Sequence, residues 1–201
     1  MIKAFLFDYD GVITQGVDVK VPSERLAENL GISIEEATNS LVSIWDGYSV
    51  GELSMEEMWK GIENHLGKKI SSDKRDIWFG WDELTPIPFM LKFVGDLKSK
   101  GYPVGLVSNV FLETADIIRQ NGGYDSFDFT VLSCEVGARK PDQKIYEYAM
   151  EKLNGINTSE VVFLDDRQHS IDGAREFGLN TIHVINHENA MKEVYSLIKH
   201  T

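Results

Sequence analysis

The feature that most limits the fold is a regular alternation of short apolar runs with amphipathic stretches, which starts near residue 103. Four of the runs are predicted to be buried strands: PVGLVS (103–108), FTVLS (129–133), VVFLD (161–165) and TIHVI (181–185). Four helices are predicted between and after them: residues 111–123, 142–155, 170–178 and about 188–199. Residues 2–7 form a further predicted strand. Strands that alternate with helices are typical of βαβ units, so the sequence predicts an α/β fold with a Rossmann-like parallel sheet.

The segment from about residue 16 to residue 84 has a different pattern of apolar residues and contains no convincing strand. Ser-x-x-Glu capping boxes at Ser33 and Ser54 each open a helical pattern. Three segments place apolar residues at helical spacing: EEATNSLVSIW (35–45), MEEMWKGIENHLG (55–67) and DKRDIWFGW (73–81). Pro86 and Pro88 disfavour helix at the return to the sheet, and Pro88 fits the start of the next helix. We therefore expect an inserted all-helical block over residues 16–85 and a Rossmann-like core formed by residues 1–15 and 86–201.

Charge and cysteine content restrict the class of partner and the compartment. The 201-residue chain carries a net charge of −12 without a run of basic residues, which predicts no nucleic-acid partner and no anionic membrane surface. The N-terminal segment does not fit a signal peptide, and no apolar stretch approaches the length of a membrane span. Cys134 is the only cysteine, which favours a reducing compartment and a cytoplasmic location. The oligomeric state is left open by the sequence.

Polar side chains collect where the predicted strands end. In a parallel sheet these ends share one edge, which is where ligands bind. The polar groups that follow the strands are Asp8 and Asp10, Ser108 and Asn109, Arg139 and Lys140, and Asp165 and Asp166. Taken singly, each of these groups also fits an ordinary turn, helix cap or solvated surface. Together they predict one site.

The chemistry of that set is coherent. Several carboxylates share a small site at neutral pH only when a cation neutralises them, and Mg²⁺ prefers such oxygen ligands. Ser108, Asn109 and Lys140 are then the donors available to hold phosphoryl oxygens. One carboxylate is placed to attack phosphorus, and an acid two residues away is placed to protonate the leaving oxygen.

The segments FDYDGVI, LVSN, RKPD and VVFLDD resemble, in order and spacing, the four motifs of the haloacid dehalogenase superfamily in its phosphatase branch. The resemblance covers residues 1–14 and about 88–190, and the helical block matches the position of that family's C1 cap. It implies a Mg²⁺-dependent phosphatase that hydrolyses a small phosphorylated metabolite, a sugar phosphate among the candidates, through an aspartyl-phosphate. The implied roles are Asp8 as nucleophile and metal ligand, Asp10 as general acid and base with its backbone carbonyl on the metal, Ser108 and Asn109 as phosphoryl-binding groups, Lys140 as the neutralising lysine, and Asp165 and Asp166 as metal-binding acids.

Several features of the motifs qualify these roles. Asp10 is present, whereas the dehalogenase branch usually lacks this second acid, so carbon–halogen cleavage is disfavoured. Asp172 is expected to orient Lys140, and Arg167 stands where the family more often has a small polar residue. Five aromatic residues of the block are expected to pack among the helices rather than face a substrate: Trp45, Tyr48, Trp59, Trp78 and Trp81. A phosphomutase of the same superfamily remains the main alternative, and a receiver-type signalling module is less favoured.

Overall fold

A five-stranded parallel sheet forms the centre of the computed structural model, which describes residues 1–17, 20–78 and 80–199. The strands are β1 (Ala4–Phe7), β2 (Val104–Ser108), β3 (Phe129–Leu132), β4 (Val161–Asp165) and β5 (Asn180–His183). Their order is β3-β2-β1-β4-β5, so the first strand of the chain lies in the middle of the sheet. This order confirms the predicted α/β, Rossmann-like class. It differs from the 2-1-3-4-5 order of receiver-like domains, which removes the signalling-module alternative.

The strands are apolar because helices cover both faces of the sheet. Successive side chains point to opposite faces, so Phe5 and Phe7 pack into one core and Leu6 into the other. The side chains of Phe5, Leu6 and Phe7 are all fully buried. The helices of the chain are α1 (Val21–Leu30), α2 (Ile34–Ser49), α3 (Met55–Leu66), α4 (Trp81–Leu84), α5 (Pro88–Ser99), α6 (Leu112–Gln120), α7 (Ser133–Val136), α8 (Gln143–Lys152), α9 (Gln168–Phe177) and α10 (His187–Lys199). None of the helices within the described ranges is long and apolar enough to cross a membrane.

The helices α1 to α3 enclose a third apolar cluster, to which Phe111 of the loop after β2 also contributes. Both predicted helix starts are confirmed: the Ser33 hydroxyl accepts from the Glu36 N–H, and Ser54 and Glu57 form a complete capping box. Inside the cluster Trp59 is 2% exposed. The division into a core and a cap remains a prediction, with which this separate cluster agrees.

Two local predictions were wrong. The helix expected at residues 73–81 is instead a 3₁₀ turn, Ser72–Lys74, followed by irregular chain and the short α4; Phe79 lies outside the described residues. Ile77 of this segment is nevertheless buried in the apolar cluster of α1 to α3, which it reaches from irregular chain rather than from a helix. Ser133 was predicted to end a strand, but it begins α7, and its hydroxyl donates to the carbonyl of Ser49 at 2.7 Å. That bond joins the end of α2 to the sheet edge.

Candidate active site

The central position of β1 brings its end beside the ends of β2 and β4. Phe7 pairs with Leu106 on one side and with Leu164 on the other. The next residues along these three strands therefore meet at one edge, as the sequence predicts: Asp8 follows β1, while Ser108 and Asp165 are the last residues of their strands. Asp8 is 5% exposed and Asp165 is fully buried.

Lys140 enters this edge from the loop after α7 and bridges two carboxylates. Its Nζ lies 2.7 Å from Oδ1 of Asp8 and 2.6 Å from Oδ2 of Asp165. The lysine is 2% exposed and its Nζ lies 5.5 Å from the centre of the Phe163 ring. A buried ammonium group is tolerated when it is paired in this way, and removal of either partner is costly. The negative neighbours Asp165 and Asp8 raise the pKa of Lys140 despite its burial.

The backbone of Lys140 is held by Asn109. The side-chain carbonyl of Asn109 accepts from the Lys140 N–H at 2.8 Å, and its amide donates to the Lys140 carbonyl at 2.9 Å. Sequence reasoning missed this bond because it joins residues 31 positions apart. The structure thus gives Asn109 a positioning role, and its binding to phosphoryl oxygens stays a prediction.

Three carboxylates form a cluster that has the ligand chemistry of a cation site. Oxygen atoms of Asp8, Asp165 and Asp166 lie within 4.8 Å of one another. Asp165 is already engaged, because its Oδ1 accepts from the Arg167 N–H at 2.7 Å while its Oδ2 meets Lys140. Oδ1 of Asp166 is buried and has no hydrogen-bond partner among the described residues. Asp166 is therefore the carboxylate best placed to hold a metal. Asp165 would have to give up one of the contacts that it already makes.

The charge of the cluster is not balanced by the protein alone. Burial raises the pKa of Asp8 to about 8, and Asp165 and Asp166 add to the rise against the opposing effect of Lys140. Burial and Asp165 likewise raise the pKa of Asp166. Three acids thus face Lys140 and the charge of Arg167, which opposes the rise at Asp166, and a further positive charge would stabilise their ionised forms.

Asp10 lies apart from this cluster and is held in a different way. Its Oδ1 accepts from the Thr14 hydroxyl and from the Val17 N–H, both at 3.0 Å. Burial raises the pKa of Asp10, although these two hydrogen bonds and the charge of Arg167 oppose the rise. A carboxyl group that retains its proton to higher pH suits a general acid. The Thr14 contact could have been anticipated only from a threonine four residues after the aspartate.

A cavity of about 110 Å³ opens beside Asp10 and Ser108. Its lining residues are Tyr9, Asp10, Val17, Pro22, Trp45, Ser49, Leu84, Ser108, Asn109, Val110, Phe111, Thr114, Ile118, Arg139 and Arg167. Of the five aromatic residues expected to pack among the helices, Trp45 lines this cavity, whereas Tyr48 and Trp59 are buried in the apolar cluster. The cavity therefore lies between the sheet edge and the helices α1 and α2.

One positional expectation was wrong. Asp172 does not orient Lys140, because its side chain is 52% exposed and bonds Gln168 and Arg175 on the surface of α9. Asp165 takes the place next to the ammonium group instead. A second supporting contact was also missed: His183 of β5 lies with Nε2 at 2.8 Å from the carbonyl oxygen of Asp166, which fixes the loop that carries the acid pair.

Residues 2–178 match the family model of the haloacid dehalogenase-like hydrolases, and the chain belongs to this family of enzymes. It is similar to bifunctional epoxide hydrolase 2 of Rattus norvegicus, with 36% identity over 110 residues, which is 52% of this chain and 20% of that protein. The chain thus spans about a fifth of that relative. It is also 27% identical to a glyceraldehyde 3-phosphate phosphatase of Methanopyrus kandleri, covering 92% of this chain and 84% of the relative.

Among solved structures, the chain resembles a HAD family enzyme of Bacteroides thetaiotaomicron in complex with magnesium and inorganic phosphate. The TM-score is 0.72 and the identity 26%, over 91% of this chain and 94% of the other. Haloacid dehalogenases are among the matching relatives as well. The comparisons place the chain in a family of hydrolases, and the relatives that it matches include both phosphatases and dehalogenases.

Proposed function

We propose that this protein is a Mg²⁺-dependent phosphatase that hydrolyses a small phosphate monoester through an aspartyl-phosphate on Asp8. The observation that carries the proposal is the pairing of a buried carboxylate, 2.7 Å from Lys140 Nζ, with a second carboxyl group two residues on that is held separately beside a cavity. The first group is placed to attack, and the second to transfer a proton at the leaving oxygen.

The residues divide the reaction into two steps. In the first, Asp8 forms a bond to phosphorus while the phosphorus–oxygen bond of the ester breaks, and Asp10 gives its proton to the departing alcohol. In the second, the ionised Asp10 takes a proton from water, which attacks the aspartyl-phosphate and releases inorganic phosphate. Lys140 balances the charge that collects on the phosphoryl oxygens in both steps. Ser108 lies at the adjacent strand end, where its hydroxyl is a donor for the same oxygens.

The acid cluster fits a magnesium ion. Its donors are carboxylate oxygens, one of them the buried Oδ1 of Asp166, which has no hydrogen bond within the described part of the chain, and the surplus of negative charge calls for a cation. Asp8, Asp166 and the backbone carbonyl of Asp10 would hold the ion, with Asp165 contributing through water because both of its oxygens are engaged. When bound, the ion would neutralise carboxylate and phosphoryl charge.

Dehalogenation is the alternative that the relatives raise. A halide leaves without a proton, so that reaction gives Asp10 no task as a general acid, whereas an alkoxide leaving group needs the acid that Asp10 supplies. A phosphomutase would use the same aspartyl-phosphate but return an isomer instead of phosphate. We favour hydrolysis, supported by the phosphatase relative that covers most of the chain.

Phosphate release from a panel of small phosphate monoesters, measured with Mg²⁺ and with EDTA, tests the proposal. We expect Mg²⁺-dependent release of inorganic phosphate by the wild type and none by Asp8→Asn. That substitution keeps the size of the side chain, and Lys140 retains Asp165 as a partner, so the fold should persist. Halide release from 2-haloacids without phosphate release, or return of an isomeric ester, would contradict a phosphatase.

A further inference from the structure

The cavity beside Asp10 limits the size of the leaving group. Its volume of about 110 Å³ is smaller than that of a cavity of about 150 Å³ that accommodates a benzene molecule. Trp45, Leu84 and Phe111 form apolar walls. A leaving alcohol of a few carbon atoms fits this space, whereas a nucleoside does not.

Two arginines line the same cavity, and their environments differ. Arg139 forms an ion pair with Asp46 of α2. The guanidinium of Arg167 has no hydrogen bond or ion pair with any residue that the structure describes, although its charge acts on Asp10 and Asp166. Only its backbone is engaged, through the N–H that donates to Asp165. The Arg167 side chain is thus a cation at the cavity that the fold leaves available to a ligand.

Arg167 lines the cavity together with Asp10 and Ser108, whereas Lys140 is not among the lining residues. Lys140 bridges Asp8 and Asp165 on the buried side, while Arg167 lines the cavity that would receive the leaving alcohol. A guanidinium presents two parallel N–H groups, a geometry that matches a carboxylate. Carboxylate and phosphate are the two common anionic groups of metabolites. The carboxylate is the smaller of them, which suits a cavity of about 110 Å³.

We propose that Arg167 determines specificity by binding a carboxylate on the leaving alcohol, so that the preferred substrates are phosphate esters of short hydroxy acids. This inference rests on the proposed phosphatase function and adds the class of substrate. The carboxylate would lie against the Arg167 guanidinium, with the carbon chain along the apolar walls. Arg167 would also offset the repulsion between that carboxylate and Asp10.

A matched pair of substrates isolates this contact: the phosphate ester of 3-hydroxypropanoate and that of its carboxamide, which has the same size and no charge. For the wild type we expect kcat/KM to favour the acid by about tenfold, since one charge-assisted contact to a solvent-exposed arginine lies at the lower end of its range. Arg167→Gln should abolish the preference while preserving the backbone bond to Asp165. Arg175→Gln is the control, because it removes the same charge from the surface of α9, where Arg175 is 61% exposed.

The ratio of the two kcat/KM values distinguishes specificity from a general loss of activity. If Arg167→Gln lowers both values equally, or if the wild type does not prefer the acid, the inference is overturned while the phosphatase function stands. Equal loss of preference in Arg175→Gln would overturn it too, because the effect would then be one of overall charge. Absence of phosphate release from both esters and from every monoester of the panel would overturn the proposed function itself.

Discussion

Gly11 offers a substitution that should separate catalysis from folding. It has a φ of +75°, and a Cβ built on it would lie 2.5 Å from Cγ of Asp166 and closer still to Oδ2. Gly31 has a similar φ of +63° but nothing within 4 Å of its built Cβ. Alanine at either site adds about 1–2 kcal/mol of backbone strain, since both lie in the left-handed region. Only at Gly11 must a neighbouring carboxylate move.

The size of the catalytic effect follows from that displacement. An ordinary carbon–oxygen contact exceeds the built distances by about 1 Å, and a shift of this size in a reacting group costs about 10²-fold in rate. We therefore expect Gly11→Ala to lower kcat/KM by about 10²-fold and to raise the Mg²⁺ concentration required for half-maximal activity. Gly31→Ala should retain activity. Both should lower the melting temperature by a few degrees, as expected for about 1–2 kcal/mol in a chain of this length.

The assay is a magnesium titration of phosphate release for the wild type and both variants, combined with thermal denaturation. The two variants are compared because both add backbone strain, whereas only Gly11→Ala brings a Cβ against Asp166. Near-wild-type activity in Gly11→Ala would refute the placement of Asp166 at the metal. An equal loss in Gly31→Ala would show that backbone strain alone explains the effect.

Two further predictions concern charges. Lys140→Met should abolish phosphate release and lower the free energy of unfolding by about 3–5 kcal/mol in denaturant titrations, because two buried carboxylates lose their cation. Asp172→Asn, at an exposed position, should change neither, and a loss of activity there would restore the predicted role of Asp172 in orienting Lys140. The side chain of Glu63, 6% exposed, has its pKa lowered from 4.5 to about 2 by hydrogen bonds from the Ile70 N–H and from Lys69. Its charge therefore stabilises the fold fully above about pH 4.5 and progressively less as the pH falls toward 2. The difference in melting temperature between the wild type and Glu63→Gln should shrink between pH 5 and pH 3, and a constant difference would contradict this.

The sheet and the composition of the site were predictable because both depend on short-range patterns. Apolar runs such as VVFLD can be buried on both faces only inside a parallel sheet, and parallel strands carry their following residues to one edge. Asp8, Ser108 and Asp165 therefore come together wherever such a sheet forms. The order of the strands and the register then bring Asp8 next to Asp165 across neighbouring strands.

The remaining details depend on directions that a linear pattern does not encode. Apolar spacing at residues 73–81 predicts a helix, yet Ile77 reaches the apolar cluster from an irregular segment. Asp172 lies one turn along α9 from Gln168 and points to solvent, a direction that depends on where the helix begins. The bonds from Asn109 to Lys140 span 31 residues and form only because two strand-end loops are neighbours in the folded chain.

Identification of a covalent phosphoenzyme tests the central claim most directly. The substrate of choice is ³²P-labelled p-nitrophenyl phosphate, whose leaving group needs no proton, used with Asp10→Asn so that attack proceeds and hydrolysis of the intermediate is slow. Acid quenching, proteolysis and mass spectrometry should locate an alkali-labile phosphate on Asp8, with none in Asp8→Asn. Phosphate release by the wild type with no label on Asp8 in the Asp10→Asn variant, or a label on another residue, would contradict the account.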